Sequence, residues 1–116
     1  HVVVLEKAHH PRFHIGESLL PANLPLLERL GVAAEVQAIG MEKWGAEFVS
    51  PHHDAPQLFE FADAWNKSQP YAYQVRRAEF DDILIRALEK FDDIMAVMLP
   101  TLGEERQAWA GLPLFH

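Results

Sequence analysis

Apolar and polar positions follow two rhythms along this chain. Val2 to Leu5 is β-branched and continuously apolar and closes on Glu6, which predicts a strand buried on both faces in a parallel sheet. Gly16 marks a turn, and Glu17 and Ser18 are placed where a helix begins, since Pro21 and Pro25 are tolerated only near a first turn. Leu24, Leu27 and Leu30 then recur at three-residue spacing up to Gly31, a leucine-faced helix with its stop. Val36 and Ile39 predict a brief second helix ending at Gly40.

Past that point the period changes to two. Ala46, Phe48 and Ser50 alternate with Glu47 and Val49, a strand whose hairpin partner is Leu58-Phe59-Glu60-Phe61 across the turn-rich Pro51–Pro56. A polar turn over 63–68 and Pro70 lead into Tyr71-Ala72-Tyr73-Gln74-Val75. The helical rhythm then returns. Phe80, Ile83, Leu84, Ala87, Leu88, Phe91, Ile94, Met95, Met98 and Leu99 predict one long amphipathic helix opened by Arg76 and Arg77 and ended by Pro100. Within it Phe-Asp-Asp-Ile occurs at 80–83 and again at 91–94, close to three helical turns later. Chance, a short duplication or a junction with sequence from elsewhere would each produce it.

Composition narrows the classes. At 116 residues, 49% hydrophobic and 23% charged, this is one ordinary globular domain or a piece of one. A net charge of −7 without a basic block argues against nucleic acid as a partner. The absence of cysteine removes a disulfide scaffold, a thiolate zinc site and a cysteine nucleophile together, and cytoplasmic residence is expected. No apolar run reaches bilayer length, so no membrane partner is expected. The chain opens on His1 straight into a strand-like run, as a segment of a longer protein would.

Glu6 ends the opening strand, where a carboxylate takes one of two roles. It is either the first solvated residue or the acceptor of two hydrogen bonds from a ribose diol. His9, His10 and His14 invite a metal, yet the first two are adjacent and diverge, and no carboxylate stands at helical ligand spacing, so no metal site is expected. Arg12 is either a solvated loop cation or a planar fork for phosphate.

Taken in order, VVVLEK at 2–7, PRFHIGESLLPANLPLLERLGV at 11–32, KWGAEF at 43–48 and YQVRRAEFDDILIRA at 73–87 resemble the flavin-dependent halogenases and their monooxygenase and reductase relatives over about three quarters of the chain. The resemblance implies FAD as cofactor. Glu6 would sit on the ribose, Arg12 near the phosphates, and Gly16, Glu17 and Ser18 in a strap over the flavin, while Arg77, at the head of the long helix, would help hold the flavin or serve a purely structural role. It also implies that Lys43, placed just before a strand, meets hypohalous acid and delivers halogen to the substrate; the competing reading is an exposed lysine. Phe48, Phe59, Phe61, Trp65 and Tyr71 become candidate aromatic-substrate contacts or ordinary core. The phosphate-binding GxGxxG fingerprint is absent, the six glycines being scattered singly.

The expected fold class is therefore α/β, a portion of a flavin-binding Rossmann-like (FAD/NAD(P)-binding) fold with a small antiparallel substrate-side sheet and a long amphipathic helix. Residues 1–90 form the partial FAD-binding and substrate-wall region, and 91–116 a helix extension and tail. The expected role is part of an FAD-dependent halogenase or monooxygenase acting on a small aromatic or polyketide-like molecule, with a flavin reductase supplying reduced flavin. The rival is a non-catalytic truncated module that oligomerises or binds a protein partner through the tail apolar residues Trp109, Leu112, Leu114 and Phe115.

Overall fold

A computed structural model describes residues 1–98. The opening strand β1 (Val2–Glu6) pairs in parallel with the last described strand β6 (Ile94–Met98), in register from Val2 opposite Ile94 to Glu6 opposite Met98. Helix α3 (Arg77–Ala87) precedes β6, and Leu84, Ile85 and Leu88 share a cleft with Val4 and Glu6. This is the helix-on-parallel-sheet arrangement of an α/β fold.

Two expectations fail here. The long helix ends at Ala87, followed by a short 3₁₀ turn over Leu88–Lys90, and Ile94–Met98 is extended. Phe91 already has extended dihedrals (φ −114°, ψ 113°), so the second Phe-Asp-Asp-Ile copy is a turn into a strand. A short apolar run fits period 3.6 or a buried strand equally well, and the parallel pairing with β1 settles which wins. Residues 94–98, expected in a helix extension, instead complete the sheet, while the tail from 99 to 116 lies outside the described residues. Nor is β1 buried on both faces. Val2, Val3 and Leu5 are exposed, and among the described residues only β6 pairs with the strand.

The core sits elsewhere. Leu24 and Leu27 of α1 (Leu24–Leu30) and Val36 of α2 (Ala33–Ile39) pack with Val32, Leu19, Tyr73, Val75, Phe80 and Ala87. Gly31 ends α1 in the left-handed region (φ 72°), where its N–H still reaches the Leu27 and Glu28 carbonyls. Leu30, counted on the buried face by its spacing, is 37% exposed.

Two antiparallel pairs complete the chain. β2 (Met41–Lys43) pairs with β5 (Ala72–Gln74), Lys43 facing Ala72, and β3 (Gly45–Phe48) pairs with β4 (Gln57–Glu60), Ala46 facing Phe59. The hairpin is as expected. Lys43 precedes β3 as expected, and it also closes a short strand of its own, because Met41 to Lys43 finds a partner in β5.

Candidate functional site

Ligand clefts in open α/β sheets lie at the carboxyl ends of the parallel strands. Glu6 stands at that end of β1, its carboxylate accepting the Ala8 N–H at 2.7 Å, with His10 Nε2 3.4 Å from the other oxygen. The Ala8 hydrogen bond, helped by His10 and the Arg12 charge and opposed by partial burial, holds the Glu6 carboxyl below its ordinary value. Glu6 is therefore an anionic acceptor at neutral pH.

Around it lies a cleft of about 370 Å³ that also takes in His10, Arg12, His14, Arg77 and Asp81. Nδ1 of His10 and Nε of Arg12 are buried there without hydrogen-bond partners, while His10 Nε2 has only the 3.4 Å approach of Glu6. Buried polar atoms left unpaired are costly, and a native fold keeps few of them. A cleft with an unpaired guanidinium N–H beside an ionised acceptor suits a ligand carrying both phosphate oxygens and a diol.

Gly16 turns the chain with φ 91°, and Arg77 braces the bend from α3. Its Nη1 donates to the carbonyls of Ile15 and Gly16 at 3.3 and 3.2 Å. Nε and Nη2 both donate to Asp81 Oδ1 at 2.9 Å, one helical turn on. The guanidinium fork thus spans helix and bend, which a lysine could not do.

From the bend, residues 17–19 run extended beside β5. Val75 N–H donates to the Glu17 carbonyl and Leu19 N–H to the Tyr73 carbonyl, each at 2.9 Å, with Ser18 opposite Gln74. Glu17 and Ser18 accordingly do not begin a helix. The edge of β5 captures them, and helical structure starts only with the 3₁₀ turn at Pro21–Asn23 and then α1. Gly16, Glu17, Ser18 and Gln74 line a second hollow of about 450 Å³ that shares His14 with the Glu6 cleft.

Lys43 reaches this strap from the far side of β5. Its Nζ donates to the Leu19 carbonyl at 3.0 Å and to Ser18 Oγ, and stands 5.5 Å from the Phe61 ring centroid. A third hollow, of about 450 Å³, lies between Trp44, Ala46, Glu47, Leu58, Glu60 and Pro70. None of Phe48, Phe59, Phe61, Trp65 or Tyr71 lines it. Phe48 and Phe59 pair edge to face on the exposed hairpin, Trp65 is fully exposed, and Tyr71 packs between Trp44 and Tyr73.

The fold thus gathers Glu6, Arg12 and Arg77 into one cleft, with Gly16, Glu17 and Ser18 in the next. Sequence reasoning weighed His10 only as a metal ligand and missed Asp81 and Trp44 as lining residues. Asp81 was legible as the i+4 partner of Arg77 on a helix. His10 gave no comparable signal, since its approach to Glu6 depends on the path of a loop.

No protein-family model matches the chain. Tryptophan 2-halogenase of Chondromyces crocatus is 37% identical over 97 residues, covering 77% of this chain and 16% of that enzyme. A flavin-dependent halogenase of Armillaria mellea is likewise 37% identical, over 77% of this chain and 17% of its own length. Among solved structures, the myxobacterial chondrochloren halogenase CndH superposes with a TM-score of 0.70 and 35% identity, over 85% of this chain and 22% of that one. The flavin-dependent halogenase CmlS gives 0.69 and 33%, over 84% and 18%. A short separate likeness, 71% identical over 28 residues, to a lysine–tRNA ligase of Rickettsia typhi covers 24% of this chain and 5% of that enzyme. So small a share carries no function across. The chain thus spans about a sixth of the length of the curated halogenases it matches. Likeness over most of its length, in sequence and in Rossmann-like fold, makes it an FAD-dependent-halogenase-like α/β chain that covers part of its relatives' length.

Proposed function

We propose that this chain is the part of an FAD-dependent halogenase that grips the cofactor and carries the halogen-delivering lysine. The convergence of Glu6, Arg12 and Arg77 in one cleft, with an unpaired buried guanidinium N–H among them, is the observation that carries this reading. Glu6 would accept from the ribose hydroxyls, and Arg12, whose Nη1 is spent only on the Phe13 carbonyl at 3.3 Å, would hold phosphate. The strap of Gly16, Glu17 and Ser18 would cover the flavin, with Arg77 bracing the strap through the Ile15 and Gly16 carbonyls.

Reduced flavin, supplied by a separate reductase, would provide the two electrons taken up by dioxygen. What this chain adds is position and charge. The Lys43 ammonium donates a hydrogen bond to the oxygen of hypohalous acid. The ring carbon of a small aromatic substrate then bonds to halogen as the halogen–oxygen bond breaks, and the departing hydroxide takes the ring proton away as water. Oxygen transfer to a similar substrate is the neighbouring reading within the same cofactor chemistry.

FAD titration followed by flavin fluorescence tests the cofactor role. Glu6→Gln and Arg12→Ala are each expected to weaken binding about tenfold, the worth of a charge-assisted hydrogen bond. Equal affinity in all three proteins would overturn the assignment. Lys43→Ala is expected to keep FAD affinity while losing halogenated product by mass spectrometry, and full halogenation would remove the lysine from the reaction.

A further inference from the structure

Lys43 is held by a group to which no role in halogen transfer has so far been given. In the β2–β5 pair it faces Ala72, and across the other edge of β5 Ser18 faces Gln74. Residues two apart share a face of a sheet, so Lys43, Ala72, Gln74 and Ser18 all stand on one side. Ala72 presents only a methyl group there, leaving the lysine stem free to cross β5. Nζ arrives on Ser18 Oγ and the Leu19 carbonyl, with the Phe61 ring as its apolar neighbour. Beyond the strap residues, the described structure gives this ammonium no carboxylate partner.

We infer that Ser18 is a positioning residue for Lys43, its hydroxyl fixing where the amine sits at the end of the strap. The strap is pinned by a cation at each end, with Arg77 on the Ile15 and Gly16 carbonyls and Lys43 on Ser18 and Leu19. Any movement of the bend at Gly16 is therefore felt two residues later by the lysine. The importance of this for catalysis rests on the halogenase reading above, whereas the positioning itself can be measured without turnover.

Four lysines (Lys7, Lys43, Lys67 and Lys90) occur in the chain, so acylation by an amine-reactive ester can be followed residue by residue by peptide mass spectrometry. Ser18→Ala is expected to raise the labelling rate of Lys43 about fivefold, as loss of one hydrogen bond frees the amine. Ser18→Thr should return it to the parent rate, with Lys7, Lys67 and Lys90 as internal standards. Hydrogen exchange gives the reciprocal test without altering the strap. Lys43→Met should speed exchange of the Leu19 and Val75 amides, and Lys90→Met should not. In the full enzyme Ser18→Ala should lower kcat for halogenation and leave KM for the aromatic substrate unchanged. Unchanged Lys43 labelling in Ser18→Ala, or unchanged amide exchange in Lys43→Met, overturns the positioning role even in a protein that halogenates. Absence of FAD binding would overturn the functional reading and leave the labelling result standing.

Discussion

Two titrating residues, at different places in the fold, set opposite edges of the pH range. Glu6 has a folded value below its ordinary 4.5, chiefly through the Ala8 N–H. Its contribution to stability is fully present above pH 4.5 and is lost as pH falls through the lower folded value. Glu6→Gln should therefore flatten the acid limb of a thermal-stability profile by lowering the Tm at neutral pH while changing little at strongly acid pH. Tyr73 works in the other direction. Burial, then the neighbouring Tyr71, pushes its phenol up to about 12, so the folded state holds the proton where the unfolded chain has released it. Stability from this group is complete below pH 10 and drains away between 10 and about 12. Tyr73→Phe should remove that alkaline loss, measured as the Tm difference between neutral and strongly alkaline buffer.

At the scale of elements, the strap matters most. Gly16 has φ 91°, and a Cβ built there would stand 3.2 Å from Arg77 Nη1. Gly16→Ala then meets both backbone strain of about 1–2 kcal/mol and a displaced guanidinium. We expect a lower Tm together with weaker FAD binding, whereas Gly31→Ala, whose Cβ would meet nothing within 4 Å, should cost stability alone. FAD affinity measured for the two variants side by side checks this, and equal affinity would show that the bend has no part in the cofactor site. Pairing of β5 with β2 on one edge and with the strap on the other also explains why Lys43, Ser18 and the core residue Tyr73 are so close although far apart in the chain.

For the whole molecule, apolar burial is uneven. Val32 and Val36 are fully buried among α1, α2, α3 and β5, while Val2, Val3 and Leu5 of β1 and Phe48, Leu58 and Phe59 of the hairpin stand exposed. Stability should follow the first group. Val36→Ala is expected to cost about 2 kcal/mol by leaving a cavity, whereas Val3→Ala should change little, as denaturant midpoints would show. No helix among the described residues is long and apolar enough to cross a membrane.

The chain's own pattern sufficed for the short helices with their glycine stops and the β3–β4 hairpin, because each rests on spacing within a few turns or on a compact motif. It also placed Glu6 at a strand end and Arg77 at a helix start, both of which hold. Three things were decided only in three dimensions. Ile94–Met98 became a strand because β1 offered it a parallel partner, a contact spanning most of the chain that no local period encodes. Glu17 and Ser18 stayed extended because the edge of β5 supplied hydrogen bonds that a helix start would have left to solvent. Lys43 found Ser18 because β5 carries alanine at position 72, a fact whose meaning depends on register and therefore on the fold.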